Sequence, residues 1–323
     1  MKHSVSILSL AAIGLAIHGS LSPATHAAVK GAKPMPLSEG WTSDFEAARK
    51  QAAAENKNLL LDFTGSDWCG PCINLKKTIL GKDAFKQGVK DTYILVELDY
   101  PRDKSLQTEE TVQQNRALAQ LYSIKSFPTV LLTDAEGRPF AQMTGFGMEP
   151  EEYAKEVNEK ISALTRRDEA LAKARELEGP EKARALFEAL ESMKLRDEHI
   201  ASFYGNLIEQ IKEADPDDES GATRALGMRK KLSELFAELK PLGRASKMDE
   251  ALALLDDALA SGDFEGEIKQ QVGYEKVRVL RAMKKNDAAI QAAEEAVAIA
   301  PDGKWVRLLE GIKGQLEKEK SSE

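Results

Sequence analysis

Apolar and polar positions repeat with different periods along this chain, and the periods divide it. Val5 to Ile17 form one apolar run behind the basic Lys2, with small residues up to Ala27. That reads as a secretory signal over 1–27 cleaved after Ala27, too short for a comfortable membrane span. An uncleaved anchor is the other reading of the same run. Residues 28–40, with Gly31, Pro34 and Pro36 and no periodicity, read as a tether. Ser43 and Glu46 then make a capping box for a helix to about Asn56. The short apolar runs at 58–64 and 92–100 predict buried strands. A helix is predicted from Pro71, another over 108–124, a hairpin turning at Glu136-Gly137, and a closing helix over 149–164. The order αβαβαββα is that of an α/β domain, placed at 41–163.

From about Thr165 strand signals vanish, and Ala, Leu, Glu and Lys recur at helical spacing, so 164–323 is predicted to be all-α. "EALALLDDALA" (250–260) and "AAIQAAEEAVA" (288–298) superimpose at an offset of 38 residues, which suggests stacked helix pairs. Residues 274–303 resemble a tetratricopeptide repeat, with its turn at Asn286-Asp287 and a terminating Pro301. An antiparallel α-bundle has the same pattern, and both readings stay open.

Charge removes some partners. The chain carries 45 basic and 53 acidic side chains, net -8, which argues against nucleic acid or anionic lipid. Both cysteines lie in "FTGSDWCGPC" (63–72), and three of the four histidines (His3, His18, His26) lie in the expected signal. That leaves His199, too little to complete a zinc site with two thiolates or to serve a Ser-His or Cys-His pair. No metal or bound cofactor is expected, and the pair is either redox-active or structural. A structural Cys69–Cys72 bridge would close too small a loop to remove much chain entropy.

The position of the pair favours redox chemistry. It falls between a buried strand and a helix start, where unpaired N–H groups and the helix dipole favour a thiolate at Cys69. Cys72, one turn on, can resolve a mixed disulfide from within.

"DFTGSDWCGPC" together with "SFPTVLLTDAEGRPF" resembles the thioredoxin superfamily over 41 to about 163, in the branch of exported bacterial thioredoxin-like proteins. The resemblance implies a thioredoxin fold and exchange at Cys69 and Cys72 around Gly70 and Pro71. It also implies a cis bond before Pro128, a substrate-pairing backbone at Phe127, and Trp68 as an apolar contact on the rim. Asp62 matches the buried aspartate that takes the inner thiol's proton; an ordinary strand-end carboxylate is its bland reading, as core filling is for Trp68 and Phe127. The lysine that often neighbours this aspartate is replaced by Leu95 or a nearby residue of "YILVEL". Residues 101–115 lengthen one connection and read as surface variation. His199 reads as structural or surface, and "EADPDDES" (213–220) as a solvated loop.

Gly70-Pro71 offers no donor that would over-stabilise the Cys69 thiolate, so the couple is expected to be moderate or reducing. The function expected is an exported, periplasmic or secreted, disulfide reductase or isomerase. Its only redox group is the Cys69–Cys72 disulfide, its substrates are protein thiols and disulfides, and a membrane electron donor or other thiol partner recharges it. The alternative is a non-enzymatic binding or scaffold module in which the helical half holds protein partners and the thioredoxin fold is accessory. Residues 41–163 are expected to fold without the rest.

Overall fold

The computed structural model describes residues 37–144 and 147–321. The expected signal and most of the tether lie outside them.

The first half is a five-stranded sheet in the order β1-β3-β2-β4-β5, built from β1 (Trp41–Thr42), β2 (Asn58–Thr64), β3 (Tyr93–Asp99), β4 (Thr129–Thr133) and β5 (Pro139–Met143). β1, β3 and β2 run parallel, while β4 and β5 are antiparallel. The predicted strands are buried along nearly their whole length, which is why they read as apolar runs without alternation. β1 escaped notice because two residues carry no period. The hairpin turns where expected, with Gly137 at φ +82°, a conformation that penalises any side chain.

α1 (Phe45–Glu55) and α4 (Glu109–Leu121) cover the face that carries Leu59, Leu61 and Phe63. The cap of α1 is Asp44, which accepts the Ala47 N–H, and not the predicted Ser43. α2 (Gly70–Leu75), α3 (Asp83–Val89) and α5 (Pro150–Glu159) take the other face with Leu60. α2 passes into a π-helical turn over Lys76–Leu80, and α3 was missed because its seven residues are short for a helical period.

Among the described residues eight more helices follow: α6 (Ile161–Arg175), α7 (Gly179–Met193), α8 (Asp197–Ala214), α9 (Ala222–Arg244), α10 (Met248–Ala260), α11 (Gly266–Ala282), α12 (Asn286–Ile299) and α13 (Val306–Ser321). A thioredoxin-type α/β half followed by an all-α half is the architecture expected. The boundary placed at 163/164, however, falls inside α6, and packing does not break there. Leu186, Leu190, Ile200 and Tyr204 of α7 and α8 share one buried cluster with Leu60, Val130 and Leu132 of the sheet. Tyr204 donates to the Pro139 carbonyl on edge strand β5, and Arg167 of α6 reaches Asp134 in the hairpin at 2.9 Å. His199 is fully buried, its Nε2 2.9 Å from the Tyr122 carbonyl after α4. These helices cover an edge that would otherwise offer unpaired backbone groups. "EADPDDES" is a capping loop: Asp215 accepts from the N–H groups of Glu219 and Ser220.

Candidate active site

β2 delivers the chain into the motif, and α2 begins inside it. Cys69 is the N-cap of α2, and its Sγ accepts the N–H of Cys72 at 3.3 Å. The two are joined as a disulfide. Both sulfurs are recessed, Cys69 at 5 % exposure and Cys72 at 2 %. Gly70 and Pro71 fill the first turn, where the missing N–H of proline costs nothing.

The rim is aromatic. Trp68 is 37 % exposed and meets Phe127 edge-on at 5.7 Å between centroids. Phe127 in turn meets Tyr100 at 5.1 Å, and the Phe127-Pro128 bond is cis. The structure therefore gathers Trp68, Phe127 and the prolyl bond that the sequence kept 60 positions apart. Gly65 lies beneath the indole, where a Cβ would come within 2.6 Å of Trp68 Cε2.

Residues 101–106 are not surface variation. Asp67, next to Trp68, accepts the N–H groups of Arg102 and Asp103 at 2.9 and 3.0 Å, which holds its carboxyl below the usual range. Trp68 Nε1 donates to the Tyr100 carbonyl at 2.8 Å, and the Arg102 guanidinium lies over the indole, 5.3 Å from a ring centroid. Asp99 accepts from both the N–H and the hydroxyl of Ser66. The segment following β3 is one wall of the motif.

The strand that leads into the motif carries a buried ionisable group. Asp62 is 2 % exposed, and its Oδ1 has no hydrogen-bond partner among the described residues. Strand alternation puts it on the Leu60 face, the side of α2 and α5. Burial pushes its pKa up to about 8; the charge of Glu97 adds to the rise and Lys76 opposes it. The position across from Asp62 on β3 is Glu97, not Leu95, and the cation comes from another element. Lys76 follows Cys72 by one turn of helix and sets its Nζ 2.8 Å from both Glu97 oxygens. Burial also raises Glu97, against the Lys76 hydrogen bond. Glu97 had a sequence signal, a charge between the apolar Val96 and Leu98 of the strand. Lys76, Asp67, Tyr100 and Arg102 had none, since each acts through a contact between elements distant in sequence.

Among the described residues no group of three or more His, Cys, Asp or Glu side chains converges as a metal ligand set. No described helix is long and apolar enough to cross a membrane.

Residues 45–161 match the model of a thioredoxin-like domain. The chain is 38 % identical over 124 residues to the disulfide bond reductase DsbH of Chlamydia pneumoniae, covering 38 % of this chain and 72 % of the relative. It is 32 % identical over 109 residues to the thioredoxin-related protein DsbJ of the same organism, covering 34 % of this chain and 31 % of DsbJ. A solved DsbH oxidoreductase is 30 % identical and covers 43 % of this chain and 92 % of its own, with a TM-score of 0.35. With its N-capping cysteine, its second cysteine one turn on and this kinship, the chain belongs to the thioredoxin-like family that includes DsbH, and it is a thiol-disulfide oxidoreductase.

Proposed function

We propose that this protein reduces disulfides in other proteins outside the cytosol. The observation that carries the reading is the placing of Cys69 Sγ at the N-cap of α2, where the Cys72 N–H meets it. A thiolate there is stabilised by an N–H and by the helix dipole. In the reduced protein Cys69 attacks a substrate sulfur, the substrate S–S bond breaks, and one substrate thiolate leaves. Cys72 then gives its proton to Asp62 and attacks Cys69 Sγ, releasing the second substrate thiolate. Two electrons pass to the substrate and the Cys69–Cys72 bond re-forms, so a thiol donor must return them. Trp68, Phe127 and Pro128 form the surface on which the substrate chain lies.

The reducing direction is supported by Gly70-Pro71, which adds no side-chain donor to the thiolate, and by the reductase named among the relatives. Placement outside the cytosol is supported by the pattern of residues 1–27. Asp62 suits its role because burial raises its carboxyl to a pKa of about 8, so its ionised form is basic enough to take a thiol proton, and that form grows as pH rises toward 8. The test is insulin reduction by the full chain, with trapping of partners. Cys69→Ser should abolish exchange, and Cys72→Ser should accumulate mixed disulfides. Faster alkylation of Cys72 than of Cys69 in the reduced protein would reverse the roles.

A further inference from the structure

We infer that Arg102 is a specificity-determining residue that pairs with a carboxylate flanking the substrate cysteine under attack. The inference rests on the disulfide-exchange reading above and names the substrate class of that site.

Arg102 is exposed, and its guanidinium lies over Trp68, the neighbour of Cys69. Its place is set from below. Asp67 grips the backbone N–H groups of Arg102 and Asp103, and the indole is fixed by Tyr100 on one side and Gly65 on the other. The segment therefore carries its cation at a defined point on the rim.

The nearby carboxylates are already engaged. Both Asp67 oxygens accept backbone N–H groups, and Asp103 accepts the N–H and the hydroxyl of Ser105 at 3.0 and 2.7 Å. Lys104, the other cation of the segment, is tied to the Pro101 carbonyl at 3.0 Å. Among the described residues Arg102 feels the Asp67 carboxylate only beyond ion-pair distance, and its fork of donors makes no side-chain hydrogen bond. A guanidinium lying on an indole is partly stripped of water on one face and binds a carboxylate through the other edge.

An extended substrate advances about 3.4 Å per residue, so the residues one or two places from its cysteine come within reach of the rim. A neighbouring Glu or Asp would meet Arg102, whereas a Lys or Arg would be repelled. The chemistry selects acidic flanks.

The test uses the full-length protein, reduced with dithiothreitol and desalted, in single-turnover exchange with three disulfide peptides. These differ only in carrying Glu, Gln or Lys beside the target cysteine. The readout is the ratio of Glu-peptide to Lys-peptide rates within each of wild type, Arg102→Gln and Arg102→Glu, which cancels any general change in activity. Wild type should favour the Glu peptide by roughly three- to tenfold, Arg102→Gln should level the ratio, and Arg102→Glu should invert it. High salt should erase the preference. If the cation only steadies Trp68, all rates fall together, the ratio stays put, and the inference is overturned. If wild type exchanges with none of the peptides, the disulfide-exchange reading itself fails and takes the inference with it.

Discussion

Helices α6–α8 and α10–α13 are drawn from similar residues, yet they do different work. The first group shares a core with the sheet and touches the α/β half through buried polar contacts: Arg167 to Asp134 of the hairpin turn, Tyr204 to Pro139 of β5, His199 to Tyr122 after α4. The second packs mainly on itself. Val277, Leu280, Leu309 and a set of alanines make one cluster, and Leu255, Phe264 and Val272 make another with Leu235 of α9. Among the described residues every buried charged side chain lies before residue 216, while Gln270 is the one buried polar residue of α9–α13. Helical composition says that a segment will be helical; it does not say what the helix will dock against. The thioredoxin-like match ends at residue 161, close to the expected boundary, while the buried core of the sheet continues into α6–α8.

The sharpest way to break this comparison is to cut the chain. Ending it at residue 163 strips the sheet of Leu186, Leu190, Ile200 and Tyr204, among others, each worth roughly 1.5–3 kcal/mol of burial. The sum, roughly 6–12 kcal/mol, is comparable to the whole stability of a typical domain, so this fragment should lack a cooperative thermal transition. Ending it at residue 246, between α9 and α10, should preserve both the transition and exchange with a small disulfide. A stable, active 163-residue fragment would mean that the sheet needs no cover.

Next in size is Asp62. The folded chain keeps it protonated up to about pH 8, whereas the unfolded chain ionises it near pH 4 or about there. The native state thus binds one more proton across that window, and its stability falls as pH rises toward 8. Asp62→Asn should remove that slope and stabilise the protein at pH 9 by up to about 5 kcal/mol in urea titrations. It should also slow the Cys72 step. Helices α9–α13 contain no such group, so the 246-residue form should retain the whole slope.

Smaller, but aimed at the junction itself, is Arg167→Met. It leaves Tyr204 without its guanidinium partner and Asp134 with only Arg138. Loss of a partner from a buried pair costs about 3 kcal/mol, measurable as a shift in the urea midpoint. The distal control is Lys276→Ala, which breaks a surface pair with Asp256 at 2.7 Å and should cost less than about 1 kcal/mol. Equal costs would erase the distinction between the two groups of helices.

How much of this was legible depends on the range of the interaction. The strands over 58–64 and 92–100, the hairpin, the helix starting at the cysteines and the all-α half are written in local periods and turn residues, and these act within a few positions. The motif, with Trp68 and Asp62 close by, is local too. Glu97 was half-legible, as a charge where the strand pattern asks for an apolar side chain. Other features depend on contacts between residues far apart in sequence. Strand register sets Glu97 beside Asp62, and one turn of helix brings Lys76 back to them from Cys72. The segment after β3 became a wall of the site through Asp67 and Trp68, some 35 positions earlier. The docking of α6–α8 was settled by apolar side chains of α7 and α8 that share one buried cluster with Leu60, Val130 and Leu132 of the sheet. Periodicity reports which face of an element is apolar; the partner of that face is chosen only when the whole chain has closed on itself.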